Sequence, residues 1–226
     1  MKKIQQMFQL QQELNDATNG HRWEQGITKN NKKIDWRRCI YLEAAELIDS
    51  YPWKHWKNIN AQPDYANIKI EIVDIWHFVM SEALRIYKIE GKGSIDKLVA
   101  NTVALPAYKL FSNDRSNETL DIYAQMAQVE QMVAILFADK DIHQLIDAFF
   151  AMSAYLGLHL TELYQLYIGK NILNQFRQDH GYKEGTYIKQ WHGVEDNVVM
   201  QKLLNNNIDI TPDELYEGLI KNYPNK

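Results

Sequence analysis

The chain has 226 residues, 46% hydrophobic and 24% charged, with a formal net charge of −4. That suits one domain with a full core, and it gives no electrostatic footprint for duplex nucleic acid. It leaves room for a small anionic ligand, because a local basic cluster outweighs a weak global charge. A single cysteine, Cys39, excludes an intramolecular disulfide and fits a reducing, cytoplasmic setting. The opening MKKIQQMFQLQQEL has no apolar run of signal-peptide length, and no stretch approaches ~18 uninterrupted apolar residues, so no membrane span is expected.

Five prolines and ten glycines leave little turn chemistry for a sheet. Apolar spacing of three and four recurs instead and predicts helices at roughly 2–17, 34–50, 64–89, 94–111, 117–138, 141–155 and 157–180, with short ones near 194–205 and 211–221. Asp64 is placed to cap the third helix. In EGKGS, residues 90–94, glycine closes that helix and Ser94 caps the next. Asn117 opens NETLDIYAQM as a further capped start, and DHGYKEGTY at 179–187 reads as a structured turn. No repeat or linker interrupts the pattern. The expectation is an all-α fold, a single domain over 1–226. It has a helical bundle core and an additional helical lobe at approximately 90–155.

Two stretches contradict simple burial. In YLEAAELIDSY, residues 41–51, Glu43 and Glu46 stand among apolar residues. Three apart on a helix, they share a face. In IKIEIVDIWHFVM, residues 68–80, Glu71 and Asp74 repeat the spacing within a helix apolar nearly all round, hence central. If the pairs face each other, four carboxylates converge. Burying an ion costs several kcal/mol, and four would consume a net stability of ~5–15 kcal/mol. Neither helix offers a basic residue at matching positions. Arg37 and Arg38 lie a turn or two earlier on the first. Divalent cations remain, and an all-oxygen site suits Mg²⁺, with Mn²⁺ a possible substitute. A di-iron bundle needs acid-x-x-His on two helices, whereas only His77 follows an acid, Asp74, at that spacing.

GKNILNQFRQDHGYKEGTY, residues 169–187, is the other dense region. Lys170, Asn174 and Arg177 share one helical face, and Lys183 follows in the turn. The cations suit phosphate oxygens, and the amide suits a base edge. The competing reading is a solvated face. No glycine-rich phosphate cradle is present.

Together, the two acidic pairs, His77-Phe78 and KNILNQFRQDHGYKEGTY resemble the dimeric, all-α dUTPases, a branch of the all-α nucleoside triphosphate pyrophosphatases related to MazG. LQQELNDATNG and PWKHWK are similar to that family as well. The resemblance spans residues 10 to 187 and leaves the middle lobe and the last forty residues unmatched. It implies a homodimer that hydrolyses dUTP, and dUDP, to dUMP with Mg²⁺. Glu43, Glu46, Glu71 and Asp74 would be metal ligands, with Glu46 also polarising the attacking water. Gln12, Asn15, Trp53 or Trp56, His77, Phe78 and Asn174 would line the uracil and deoxyribose pocket. Lys170, Arg177, Tyr182 and Lys183 would bind phosphates, Lys170 and Arg177 stabilising the charge that develops. The alternatives are a sister pyrophosphatase for dCTP or a non-standard nucleotide, and a helical dimer that binds a nucleotide without turning it over.

Overall fold

A computed structural model describes residues 1–58, 60–113, 121–138, 141–207 and 210–224. The chain divides into two compact units, 1–164 and 165–226. The first holds α1 (Lys2–Asn19), a 3-10 turn (Trp23–Gln25), α2 (Trp36–Asp49), α3 (Tyr65–Ile89), α4 (Ile95–Val103), α5 (Tyr108–Phe111), α6 (Ile122–Ala138) and α7 (Ile142–Tyr155). A further helix, α8 (Leu160–Asp179), begins in the first unit and ends in the second. The second continues with β1 (Gln190–Trp191), β2 (Val194–Glu195), α9 (Asp196–Asn206) and α10 (Pro212–Asn222). The all-α expectation holds, apart from that two-residue hairpin.

The centre of the first unit is α3, as its apolar circumference requires. Ile72, Val73, Ile75, Trp76, Val79, Met80 and Ala83 are all fully buried. Burying each large aliphatic side chain contributes about 1.5–3 kcal/mol. The helix packs most extensively on α2 and also touches α1, α4 and α7. Trp76 anchors the contact with α7, stacked on Phe149 with ring centroids 4.8 Å apart and tilted against Phe150 at 5.4 Å. Asp64 caps α3, its carboxylate accepting from the Asn67 N–H at 3.0 Å. Gly91, at φ 62°, ends the helix, with the Lys92 N–H returning to the Tyr87 carbonyl at 3.0 Å. Ser94 then caps α4.

The structure corrects several boundaries. The helix expected at 94–111 is broken between Val103 and Tyr108, because Pro106 lacks an N–H and disfavours helical backbone at Leu105. Among the described residues α6 starts at Ile122, with Asp121 accepting from the N–H groups of Tyr123 and Ala124 at 3.0 and 3.3 Å. The expected cap, Asn117, lies outside the described residues. Gly157 terminates α7 rather than opening α8. At φ 82° it lets the Leu158 N–H bond to the Ser153 carbonyl at 2.9 Å. The hairpin precedes α9, pairing Gln190 with Glu195 and Trp191 with Val194. Its turn places His192 and Gly193 at φ 50° and 86°, the twist that two-residue hairpins favour. No helix among the described residues is long and apolar enough to cross a membrane.

Candidate active site

Asp35 caps α2, its carboxylate accepting from the Arg38 N–H at 3.0 Å. Two to three turns on, Glu43 and Glu46 meet Glu71 of α3. One carboxylate oxygen from each of the three lies within 4.8 Å of the others. Glu71 is buried, Glu43 half-buried and Glu46 exposed. Asn67, one turn before Glu71, donates to its Oε1 at 3.0 Å and to Ser50 Oγ at 2.9 Å. Asp74 joins electrostatically. The Glu43 carboxyl is pushed up to about 8 by burial first, then by the charges of Asp74, Glu71 and Glu46 and a hydrogen bond with Glu71. All these influences act in one direction, against the ionised form. Arg37 donates to Glu82 at 3.3 Å and to the Leu136 carbonyl at 2.5 Å, and Arg38 pairs with Asp35 at 3.3 Å.

This donor set fits a hard divalent cation. Oxygens on an octahedral Mg²⁺ at ~2.1 Å lie about 3.0–4.2 Å apart, so small side-chain rotations bring the three oxygens to ligand spacing. The surplus of negative charge supplies the attraction.

One turn along α3, His77 is buried and its Nδ1 lies 2.7 Å from Gln11 Oε1. Gln11 Nε2 donates to Ser81 Oγ at 3.1 Å, which makes Gln11 Oε1 the acceptor and places a proton on His77 Nδ1. Asn15 Nδ2 also donates to Ser81 Oγ, at 3.0 Å, and Ser81 donates to the His77 carbonyl at 2.8 Å. Asn15 and His77 are therefore brought into one network. Gln12 instead donates to Asp16 at 3.1 Å and Glu24 at 3.4 Å. Phe78 stacks on Trp36, with centroids 5.9 Å apart at 27°. Trp53 and Trp56 meet edge-on at 5.6 Å, the latter 61% exposed. Gln11, Ser81 and Trp36 were not anticipated.

In the second unit the basic face of α8 is not the solvated one its composition also allowed: Lys170 and Arg177 are buried. Arg177 Nε and Nη2 donate to the two oxygens of Asp196, each at 2.8 Å, and its Nη1 donates to Asn174 Oδ1 at 3.1 Å. Lys170 Nζ donates to Asn197 Oδ1 at 2.9 Å. The Arg177 guanidinium lies over the Tyr182 ring at 5.7 Å. Burial pushes the Asp196 carboxyl upward. Hydrogen bonds and charge from Arg177, with help from Tyr187 and the Asn197 N–H, outweigh it and leave the group below the ordinary aspartate value. The Tyr187 phenol is raised, by burial and then by Asp196. Tyr182 and Lys183 are both exposed. Asp196 and Asn197 were also missed; the acid-amide pair in GVEDN, just past the turn, was their visible trace.

A dUTPase family model matches residues 3–182, most of the chain. The chain belongs to the dUTPase family. Its activity is hydrolysis of dUTP, a nucleotide substrate, and its chemistry is in general that of divalent-metal-dependent hydrolases. The match covers both acidic pairs, the Gln11–Asn15–His77–Ser81 network, and Lys170, Asn174, Arg177 and Tyr182. It stops before Lys183, Tyr187 and the Asp196-Asn197 pair. No curated protein matches the chain significantly.

Proposed function

We propose that the chain hydrolyses dUTP to dUMP and pyrophosphate, and dUDP to dUMP and phosphate, using Mg²⁺ held by Glu43, Glu46, Glu71 and Asp74, with Mn²⁺ able to substitute. The observation that carries the metal assignment is the convergence of three carboxylates within 4.8 Å around a Glu43 crowded by like charge. When bound, the metal neutralises phosphate charge and lowers the pKa of a coordinated water. Glu46 is the exposed member of the cluster and is assigned to orient and polarise the attacking water.

The remaining roles are assigned residue by residue. Lys170, Arg177, Tyr182 and Lys183 take the phosphates, where cations offset the charge that develops during in-line attack. Asn174 reads the uracil O4 and N3–H. A pocket built on such hydrogen bonds rejects a wrong base because buried groups are left unpaired. Asn15, His77 and Gln12, with Trp53 or Trp56, are assigned to the nucleoside. Phe78, backed by Trp36, leaves no room for a ribose 2′-hydroxyl.

A homodimer accords with the exposed apolar residues Tyr41, Leu42 and Phe137, the rings of Tyr41 and Phe137 lying 5.6 Å apart. We assign the work to the cytoplasm, on free nucleotides. The test is a panel of dUTP, dUDP, dCTP, UTP and dTTP, with and without Mg²⁺, reading pyrophosphate or phosphate release. Turnover of dCTP in preference to dUTP would overturn the substrate assignment, and full activity in chelator would overturn the metal.

A further inference from the structure

Residues 183–226 lie beyond the segment that the family model matches, yet they supply the side chains that hold the basic face of α8. Arg177 and Asp196 meet fork to fork, Nε to Oδ2 and Nη2 to Oδ1, both at 2.8 Å. Such bidentate pairs fix the guanidinium plane as well as its position. Asp196 is itself held: its Oδ2 accepts from the Tyr187 hydroxyl at 2.8 Å, and its Oδ1 accepts from the Asn197 N–H at 2.8 Å. Asn197 reaches both cations of the face, accepting from Lys170 at 2.9 Å and from Arg177 Nη2 at 3.4 Å.

Stability alone is a weak reason for this arrangement, since well-packed apolar residues often serve as well as a buried ion pair. What an apolar pair does not provide is orientation. An arginine side chain free to sample rotamers loses that freedom when it engages a phosphate. One braced along its Nε–Nη2 edge has lost it on folding, so its Nη1 end, which donates to Asn174 Oδ1 at 3.1 Å, is held in place before any phosphate arrives. A buried carboxylate performs this bracing only while ionised, and Arg177 and Tyr187 hold it so.

We propose that Asp196 is the positioning residue for Arg177, braced by Tyr187, and that the segment beyond the family match thereby belongs to the phosphate-binding machinery. The inference rests on the reading above that Arg177 contacts a substrate phosphate. The test is a double-mutant cycle on the full chain: wild type, Asp196→Asn, Arg177→Gln and the double variant, with kcat and KM for dUTP in Mg²⁺ and a melting temperature for each. Arg177→Gln is expected to lower kcat/KM by about a hundredfold. Asp196→Asn is expected to lower it by about tenfold, carried mainly by KM, and to add nothing once Arg177 is gone. A merely structural Asp196 would lower activity by the same factor in both backgrounds, and that additivity would overturn the proposal. So would wild-type kinetics for Asp196→Asn beside a crippled Arg177→Gln. Wild-type kinetics for Arg177→Gln would sink the underlying phosphate assignment, and the proposal with it. Should Asp196→Asn fail to fold, Tyr187→Phe takes its place in the cycle, with an expected loss of about threefold that also vanishes in the Arg177→Gln background.

Discussion

In metal-free protein, folding is expected to become less favourable as pH rises, because Glu43 must then surrender its proton among other carboxylates. In the unfolded chain that group titrates near 4.5; in the folded chain it is pushed up to about 8. Between those values the native state holds a proton that the unfolded state has released, so stability declines across this window and is level outside it. At 1.36 kcal/mol per unit, the gap sets a ceiling of about 5 kcal/mol. Solvent reaches the half-buried side chain, and screening plus relaxation leave about 2 kcal/mol. For a chain of this size that is roughly 4 °C in melting temperature. Glu43→Gln removes the titration while keeping the shape. In chelator at pH 8.5 the variant is expected to melt about 4 °C above wild type, converging with it near pH 4.5. Adding Mg²⁺ to a hundred times its dissociation constant should stabilise wild type by about 2.7 kcal/mol and the variant by far less. Calorimetry across pH 4.5–8.5, with and without Mg²⁺, reads both effects. A variant that melts at or below wild type at pH 8.5 in chelator, or a difference that ignores pH, would refute the idea of like-charge crowding relieved by a cation.

Glu46→Gln and Asp74→Asn should each abolish dUTP turnover while leaving the metal-free fold intact or more stable, since each relieves repulsion; unfolding of both variants would favour a structural role. Phe78→Ala should raise UTP turnover relative to dUTP, and an unchanged preference would remove Phe78 as the ribose wall. The resemblance to the all-α dUTPases implies attack at the β-phosphorus, so hydrolysis in ¹⁸O-water should place the label in pyrophosphate; label in dUMP would mean attack at the α-phosphorus instead. Gly181→Ala should destabilise the protein by about 1–3 kcal/mol, seen as a lower melting temperature, because φ is 84° and the new methyl would collide with Thr186 Oγ1. A neutral result would show that this turn can relax.

The helices were legible because their apolar periods are long and unambiguous, above all on α3, where nearly every residue from Ile68 to Tyr87 is buried. The same period carried more information than the motif comparison used. On α1 the buried residues are Ile4, Met7, Phe8, Gln11 and Asn15, one continuous stripe. The spacing that identifies Ile4, Met7 and Phe8 as core puts Gln11 and Asn15 on that face and Gln12 on its flank, which is why Gln11 meets His77. Boundaries were less legible where a local residue overrode a period. Pro106 divided one predicted helix, and Gly157 closed α7 at the point where apolar spacing alone would start α8.

Partnerships between distant positions were harder still. The Glu43–Glu71 meeting was inferable because each acid has a near neighbour of its own kind on a helix that wants burial, and two such pairs in one bundle call for divalent cations. Asp196 had no comparable mark. An acid following a turn is ordinary, and its burial against Arg177 depends on the hairpin turn at His192-Gly193 and the return of the chain into α9. Charge makes the difference intelligible. Like charges concentrated on apolar helices raise an energetic problem visible in one dimension, whereas a neutral Arg–Asp pair raises none until the fold brings its members together. Sequence reading therefore finds sites built on electrostatic conflict more readily than the complementary pairs that support them.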